Sequence, residues 1–250
     1  HVQAGGLSNL KGALDLIAPR VHIEGPLKNE GVATFTLGRN RIDAASGEVL
    51  QHLPGTPSSI DARLFGAMRA GRIRLISTAE GAGVQVGDVE LFSDDELSIS
   101  SAGDLEFTGT QAKAKKIKAK AGQKLVLNAK TREQVKKDRE AWDKRWWFVT
   151  TETYSRDRTQ TDSTQQGTAL QANEGLSLDS GGDLQMTAAK LKAGTTLALH
   201  SEGNLDISAG VDSSKVQEQV RHRKHLWRGD SDSEQYTERA NGSSLESGNL

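Results

Sequence analysis

A short phrase recurs in this chain: an apolar-polar-apolar triad, a turn, then Gly followed by Asp or Asn and a second triad. Leu97-Ser98-Ile99 leads to Gly103-Asp104-Leu105-Glu106-Phe107, and Leu176-Ser177-Leu178 leads to Gly182-Asp183-Leu184-Gln185-Met186. Leu176, Leu178, Leu184 and Met186 map 21 residues onward to Leu197, Leu199, Leu205 and Ile207, and Leu125-Val126-Leu127 follows Leu105-Glu106-Phe107 by 20. A fixed period of this size marks a solenoid, in which each repeat is one coil that buries its apolar face only against its neighbours. Alternation within the triads makes the coil faces strands, because side chains two apart share one side of a strand. The expected fold is all-β, a parallel β-helix.

The same alternation extends outward from the phrase. Leu14-Asp15-Leu16-Ile17, Val21-His22-Ile23, Val32 to Leu37, Ile73-Arg74-Leu75-Ile76 and Val84-Gln85-Val86 read as strands, with 26 Gly against 4 Pro supplying tight turns. From Ala112 to Ala121, Lys nearly alternates with Ala and Ile, which places the small apolar residues inward and the cations outward. Leu53 to Ser59 reads as a loop by its Pro and Gly, and a helical turn is expected at Asp61-Ala62-Arg63-Leu64-Phe65. An apolar fraction of 35% is thin for an ordinary core but suffices for a narrow stack of coils. With no Cys, there is neither a disulfide framework nor a thiolate metal site. The chain opens on His1 without Met or a signal sequence, as expected of an internal piece of a longer protein. No run of 18 apolar residues is present, so no transmembrane segment is expected.

Two stretches break the triads. Residues 131–168 and 211–243 are polar, charged and aromatic, and they resemble one another: Glu133-Gln134-Val135 and Trp142 match Glu218-Gln219-Val220 and Trp227 at an offset of 85. Both read as excursions off the coils, as hairpins or loops. The organisation expected is a β-helix over 1–92, repeat block one over 93–130, an aromatic and basic excursion over 131–168, repeat block two over 169–210, a second excursion over 211–243, and the start of a further coil over 244–250.

These residues resemble a known family. Leu14 to Val21, Gly38-Arg39-Asn40, Ile60-Asp61-Ala62, Gly66 to Leu75 and Gly81 to Val84 are similar to the end of the secretion domain of filamentous haemagglutinin-type exoproteins. The blocks from Leu97 onward, with their Trp-bearing excursions, resemble that family's haemagglutinin repeats. The group uses two-partner secretion and includes large adhesins and contact-dependent growth inhibition filaments. The resemblance implies a right-handed parallel β-helix, export through a dedicated outer-membrane transporter, and display on the bacterial surface. Asn-Pro-Asn motifs of the transporter-recognised region do not occur here, so contact with the transporter is assigned to upstream sequence. The implied role is structural: a shaft segment acting in adhesion or in presenting distal binding or toxin modules.

Three clusters are candidates for chemistry. Between Leu75 and Ala112 stand eight acids and no Lys or Arg, namely Glu80, Asp88, Glu90, Asp94, Asp95, Glu96, Asp104 and Glu106. These would suit a Ca²⁺ site or the carboxylate pair of a glycan-cleaving β-helix, or else form a solvated acidic face. From Gln111 to Arg145 the sign reverses, with thirteen Lys or Arg against four acids, a surface for anionic partners or one kept soluble by Lys. Trp142, Trp146, Trp147, Phe148, Tyr154, Trp227 and Tyr236 form the candidate partner-binding surface, for a host or bacterial receptor or glycan. The competing role for the Trp residues is to fold back over an apolar strip. His222 and His225 lie in a basic run that opposes metal binding, and nucleophile-elbow, zinc-protease and phosphate-loop patterns are missing. No catalytic residue, metal ligand, cofactor or specific nucleic-acid contact is assigned.

Overall fold

A computed structural model describes residues 2–9, 12–42, 49–53, 62–64, 67–79 and 83–248. Most of the Pro- and Gly-rich loop, Glu80, and the ends Asp61 and Phe65 of the expected helical turn lie outside them. The chain divides into two compact units, one of residues 1–130, 166–209 and 242–250, the other of 131–165 and 210–241.

The larger unit is a parallel β-helix. Coil one holds β1 (Val2–Ala4), β2 (Leu7–Asn9) and β3 (Leu14–Ala18), and coil two β4 (Val21–Ile23), β5 (Leu27–Asn29) and β6 (Val32–Leu37). A small hairpin, β7 (Asn40–Ile42) with β8 (Val49–His52), precedes coil three, which holds β9 (Ala62–Leu64), β10 (Met68–Ala70) and β11 (Arg72–Ser77). Coil four comprises β12 (Val84–Gly87), β13 (Glu90–Ser93) and β14 (Glu96–Ser101); coil five comprises β15 (Leu105–Thr108), β16 (Gln111–Ala114) and β17 (Lys116–Ala121). Coil six starts with β18 (Leu125–Asn128), is interrupted by β19 (Lys130–Trp146) and β20 (Val149–Gln166), and resumes with β21 (Ala169–Ala172) and β22 (Leu176–Ser180). Coil seven is β23 (Leu184–Thr187), β24 (Lys190–Ala193) and β25 (Leu197–Ser201). Coil eight has β26 (Leu205–Ser208), the interruption β27 (Gly210–Lys224) and β28 (Trp227–Asn241), then β29 (Ser244–Ser247).

Coils one to seven each give one strand to each of three parallel sheets and coil eight gives one to the first two, so that the first runs from β1 to β26, the second from β2 to β29 and the third from β3 to β25. The triads are the inward columns of these sheets. Val84, Leu105, Leu125 and Leu184 stack in register, as do Ile73, Leu97, Ile117 and Leu176, and all eight are buried. The Ala-Lys tract behaves as its alternation requires: Ala112, Ala114, Ile117, Ala119 and Ala121 are buried and the Lys between them exposed. Leu205 and Ile207 belong to β26, the last strand of the first sheet, and are exposed because no further strand covers them.

The expected helical turn is instead strand β9, whose register joins Val21–Ile23 to Val84–Val86. Ala62 and Leu64 are buried and Arg63 exposed, the period of a strand, and pairing on both edges outweighs the local helical preference.

The Gly-Asp turn of the recurring phrase clasps one coil to the next. The Asp104 carboxylate accepts the Lys124 backbone N–H at 3.0 Å, and the Asp183 carboxylate accepts that of Asn204 at 2.9 Å. Ser180 and Ser201, which end the preceding strands, donate to the carbonyls of Gln123 at 2.9 Å and Gly182 at 2.8 Å. Turn N–H and C=O groups that the sheets leave over are thereby satisfied between coils.

Both long interruptions enter at the same corner, between the first and second sheets. Coils four, five and seven turn it with one left-handed residue: Asp88 at φ 48°, Gly109 at φ 61° and Ala188 at φ 50°. Where a hairpin enters, a Gly-Thr or Gly-Ser pair closes the gap. The buried Thr168 hydroxyl lies 2.8 Å from the Asn128 carbonyl oxygen and 3.2 Å from that of Phe107. Ser243 donates to the Ser208 carbonyl at 2.8 Å and accepts from the Ala189 N–H at 3.0 Å. A Cβ on Gly167 would stand 1.8 Å from the Ala188 carbonyl oxygen, so only glycine fits where the first hairpin rejoins its coil.

Candidate interaction surface on the hairpin sheet

The two excursions are β-hairpins, and they form one antiparallel sheet in the order β19-β20-β27-β28. Its inner seam runs from Glu152 opposite Lys224 to Ser163 opposite Ser213. The edges β19 and β28 are long and exposed, and their mixed Lys, Arg, Asp and Glu discourage pairing with further chains.

Polar contacts across the strands hold this sheet. Arg156 donates to Glu218 at 2.9 Å, Lys215 meets Glu234 at 2.9 Å, and Arg139 lies 3.2 Å from Asp157. The Arg156 hydrogen bond holds the Glu218 carboxyl below the usual carboxylate range. Hydrogen bonds from Ser214 and Gln160 do the same for Asp162, and those from Gln217 and Lys215 for Glu234.

An aromatic row crosses the strands. Trp142 on β19 stacks on Tyr154 of β20, ring centroids 5.5 Å apart and planes 18° from parallel. His222 of β27 meets Tyr154 edge-on at 6.1 Å and Trp227 at 5.4 Å. A Cβ on Gly229, the partner of His222, would lie 2.5 Å from the Trp227 ring, so the indole rests over bare backbone there. His222 and Glu152 are bonded at 2.7 Å, and that hydrogen bond, with Lys224 and then Lys144 nearby, lowers the Glu152 pKa. The row thus joins three of the sequence candidates, Trp142, Tyr154 and Trp227. His222 completes the row, a place that its position in the basic run 221–225 does not signal, because its ring partners lie on β20 and β28.

Trp146, Trp147 and Phe148 gather instead at the turn of the first hairpin, 73%, 82% and 95% exposed, with Trp147 edge-on to Phe148 at 6.4 Å. Tyr236 stands apart on β28, opposite Lys215, and donates to Glu238 at 2.7 Å. The internal match of Trp142 to Trp227 does not survive: Trp142 is on the outgoing strand β19, Trp227 on the returning strand β28. The second hairpin turns at His225-Leu226, before the equivalent position is reached.

The acidic tract is dispersed by the coils. Asp95 pairs with Arg72, Asp88 with Lys130, and Glu96 with Lys118 at 2.8 Å, while Asp104 is spent on a backbone N–H. Among the described residues no three His, Asp or Glu are placed to hold a metal ion. No helix there is long and apolar enough to cross a membrane.

The hemagglutinin repeat profile matches residues 77–142 and 148–222, together more than half of the 250-residue chain. The chain belongs to the hemagglutinin repeat family. A hemolysin of Proteus mirabilis is 26% identical over 274 residues, covering 88% of this chain and 17% of that protein. A hemolysin of Serratia marcescens is 35% identical over 107 residues, covering 38% of this chain and 6% of the relative. The chain therefore spans less than a fifth of the length of either relative. No solved structure matches it. With the β-helix they form, these hemagglutinin repeats mark the chain as a segment of a secreted, surface-displayed exoprotein of the filamentous haemagglutinin type. The matched stretches break at residues 143–147, so the tip residues Trp146 and Trp147 fall outside the shared pattern.

Proposed function

We propose that this hemagglutinin repeat segment is a non-enzymatic spacer that holds distal binding or toxin modules away from the secreting cell. Its export partner is an outer-membrane transporter engaged through upstream sequence, and its target-side partner a cell-surface receptor or glycan met at the stacked Trp142 and Tyr154 of the hairpin sheet. The observation carrying this is the register: inward columns of Leu, Ile, Val and Ala continue through coils six and eight although each is interrupted by a hairpin. A stack that tolerates insertions without losing register suits a rod, since each coil adds about 4.8 Å of length and depends only on its neighbours. Stacking on exit also opposes back-sliding, because every completed coil buries apolar area.

Deletion of one coil, residues 105–124, in the exporting bacterium tests this. Export, surface display and adhesion are expected to persist, because β12 then meets β18 in the register that β15 held. Loss of adhesion with display intact would overturn a spacer role. Turnover of an acidic polysaccharide, abolished by Asp94→Asn or Asp95→Asn, would establish a glycan-cleaving β-helix instead.

A further inference from the structure

The ends of the two hairpins form one amphipathic edge. Register places the start of β20 beside the end of β27, so the turns Trp147-Phe148 and His225-Leu226 lie at the same end of the sheet. Both turns are apolar at their tips. Phe148 and Leu226 are essentially fully exposed, and Trp146, Trp147, Val149 and Trp227 flank them with more than half their surface in water. Trp147 at φ 57° and His225 at φ 52° occupy the left-handed region that two-residue hairpin turns normally give to Asn or Gly. A Trp in that position is costly for the turn and presents an indole where a small polar residue would serve the fold better.

Cations stand directly behind. Residues 143–152 and 221–230 contain Lys144, Arg145, Arg221, Arg223, Lys224 and Arg228 against Asp143, Glu152 and Asp230. Glu152 and Asp230 are themselves engaged, with His222 at 2.7 Å and Arg228 at 2.9 Å. At about 3.3 Å per strand residue the cations begin within roughly 10 Å of the tips. That spacing matches the depth to which an interfacial apolar surface enters the headgroup boundary, with cations left at the phosphates. The tip side chains stand out in solvent, which suits a deformable planar interface, and Trp is a residue such interfaces favour.

We propose that the paired hairpin tips are a membrane-interface anchor: Trp146, Trp147, Phe148, Leu226 and Trp227 enter the headgroup layer of an anionic bilayer, and Lys144, Arg145, Arg223 and Lys224 lie on its phosphates. This goes beyond the spacer role and stands on the hairpin sheet alone, so it survives if that role fails.

The 250-residue chain is titrated with vesicles of phosphatidylcholine and of phosphatidylcholine mixed equally with phosphatidylglycerol, following sedimentation and Trp emission. Binding to the anionic vesicles, a blue shift, and an affinity about tenfold weaker at high salt are expected. Phe148→Asp with Leu226→Asp should abolish the blue shift and weaken binding at least about tenfold, with an unchanged far-UV spectrum, because both side chains are exposed. Lys144→Glu with Lys224→Glu should remove the preference for anionic vesicles. Failure of the unaltered chain to bind either vesicle overturns the anchor, as does equal binding by the tip variant. Tip-dependent attachment to cells by a chain that ignores both vesicles also overturns it, in favour of a protein or glycan receptor.

Discussion

At the scale of single residues, a few positions decide whether coils close. Leu184 is fully buried between Leu125 and Leu205 of adjacent coils. Leu184→Asp places an unpaired carboxylate in that column and is expected to cost about 4 kcal/mol or more, read as a large drop in melting temperature. Thr168→Val keeps the shape but loses the hydroxyl, while Asn128 retains its bond from the Gly109 N–H at 3.0 Å. Its cost should be near 1 kcal/mol by denaturant titration. Gly167→Ala drives a methyl into the Ala188 carbonyl and is expected to cost about 1–3 kcal/mol in the same titration. Gly167-Thr168 and Gly242-Ser243 stand in the sequence just before apolar residues resume after each excursion. That the hydroxyl seals the corner was not legible there, because its acceptors are supplied by Phe107 and Asn128, distant in the chain.

At the scale of the element, the hairpin sheet answers to charge more than to burial. Glu152, Asp162, Glu218 and Glu234 all have lowered pKa values, each chiefly through hydrogen bonds to the ionised form. A carboxylate with a depressed folded pKa stabilises the fold above its unfolded pKa, near 4, and that contribution is lost as pH falls through the folded value. The hairpin sheet is therefore expected to loosen below about pH 4, seen as faster amide exchange over β20 and β27. Glu218→Gln should shrink this acid response, and an unaltered acid response would show that the Arg156 pair contributes nothing. The break in the triads and the polar, charged and aromatic text marked both excursions in the sequence as hairpins or loops, but not their union. Pairing of β20 with β27 joins residues some 50 to 70 positions apart, a choice made by register rather than by any local signal.

At the scale of the whole molecule, the two compact units are separable in principle because the hairpins enter at a corner that coils four, five and seven turn with one left-handed residue. Joining Asn128 to Thr168 and Ser208 to Ser243 through single glycines recreates the Thr108-Gly109-Thr110 corner. Such a chain is expected to keep a cooperative melt and a β far-UV spectrum; its failure to fold would mean that the hairpins are needed to align coils six and eight.

The period of 20 to 21 residues within the two repeat blocks from Leu97 onward and the inward columns that it builds were determined by the sequence alone. A solenoid writes its contacts at fixed spacing, so apolar periodicity records them directly. Only the tertiary structure decided that the acidic tract is divided among inter-coil partners, that residues 62–64 form a strand, and that the aromatics divide between a row across the sheet and a shared tip. Those outcomes depend on which strand edges meet, and edge pairing between distant segments leaves no period to read.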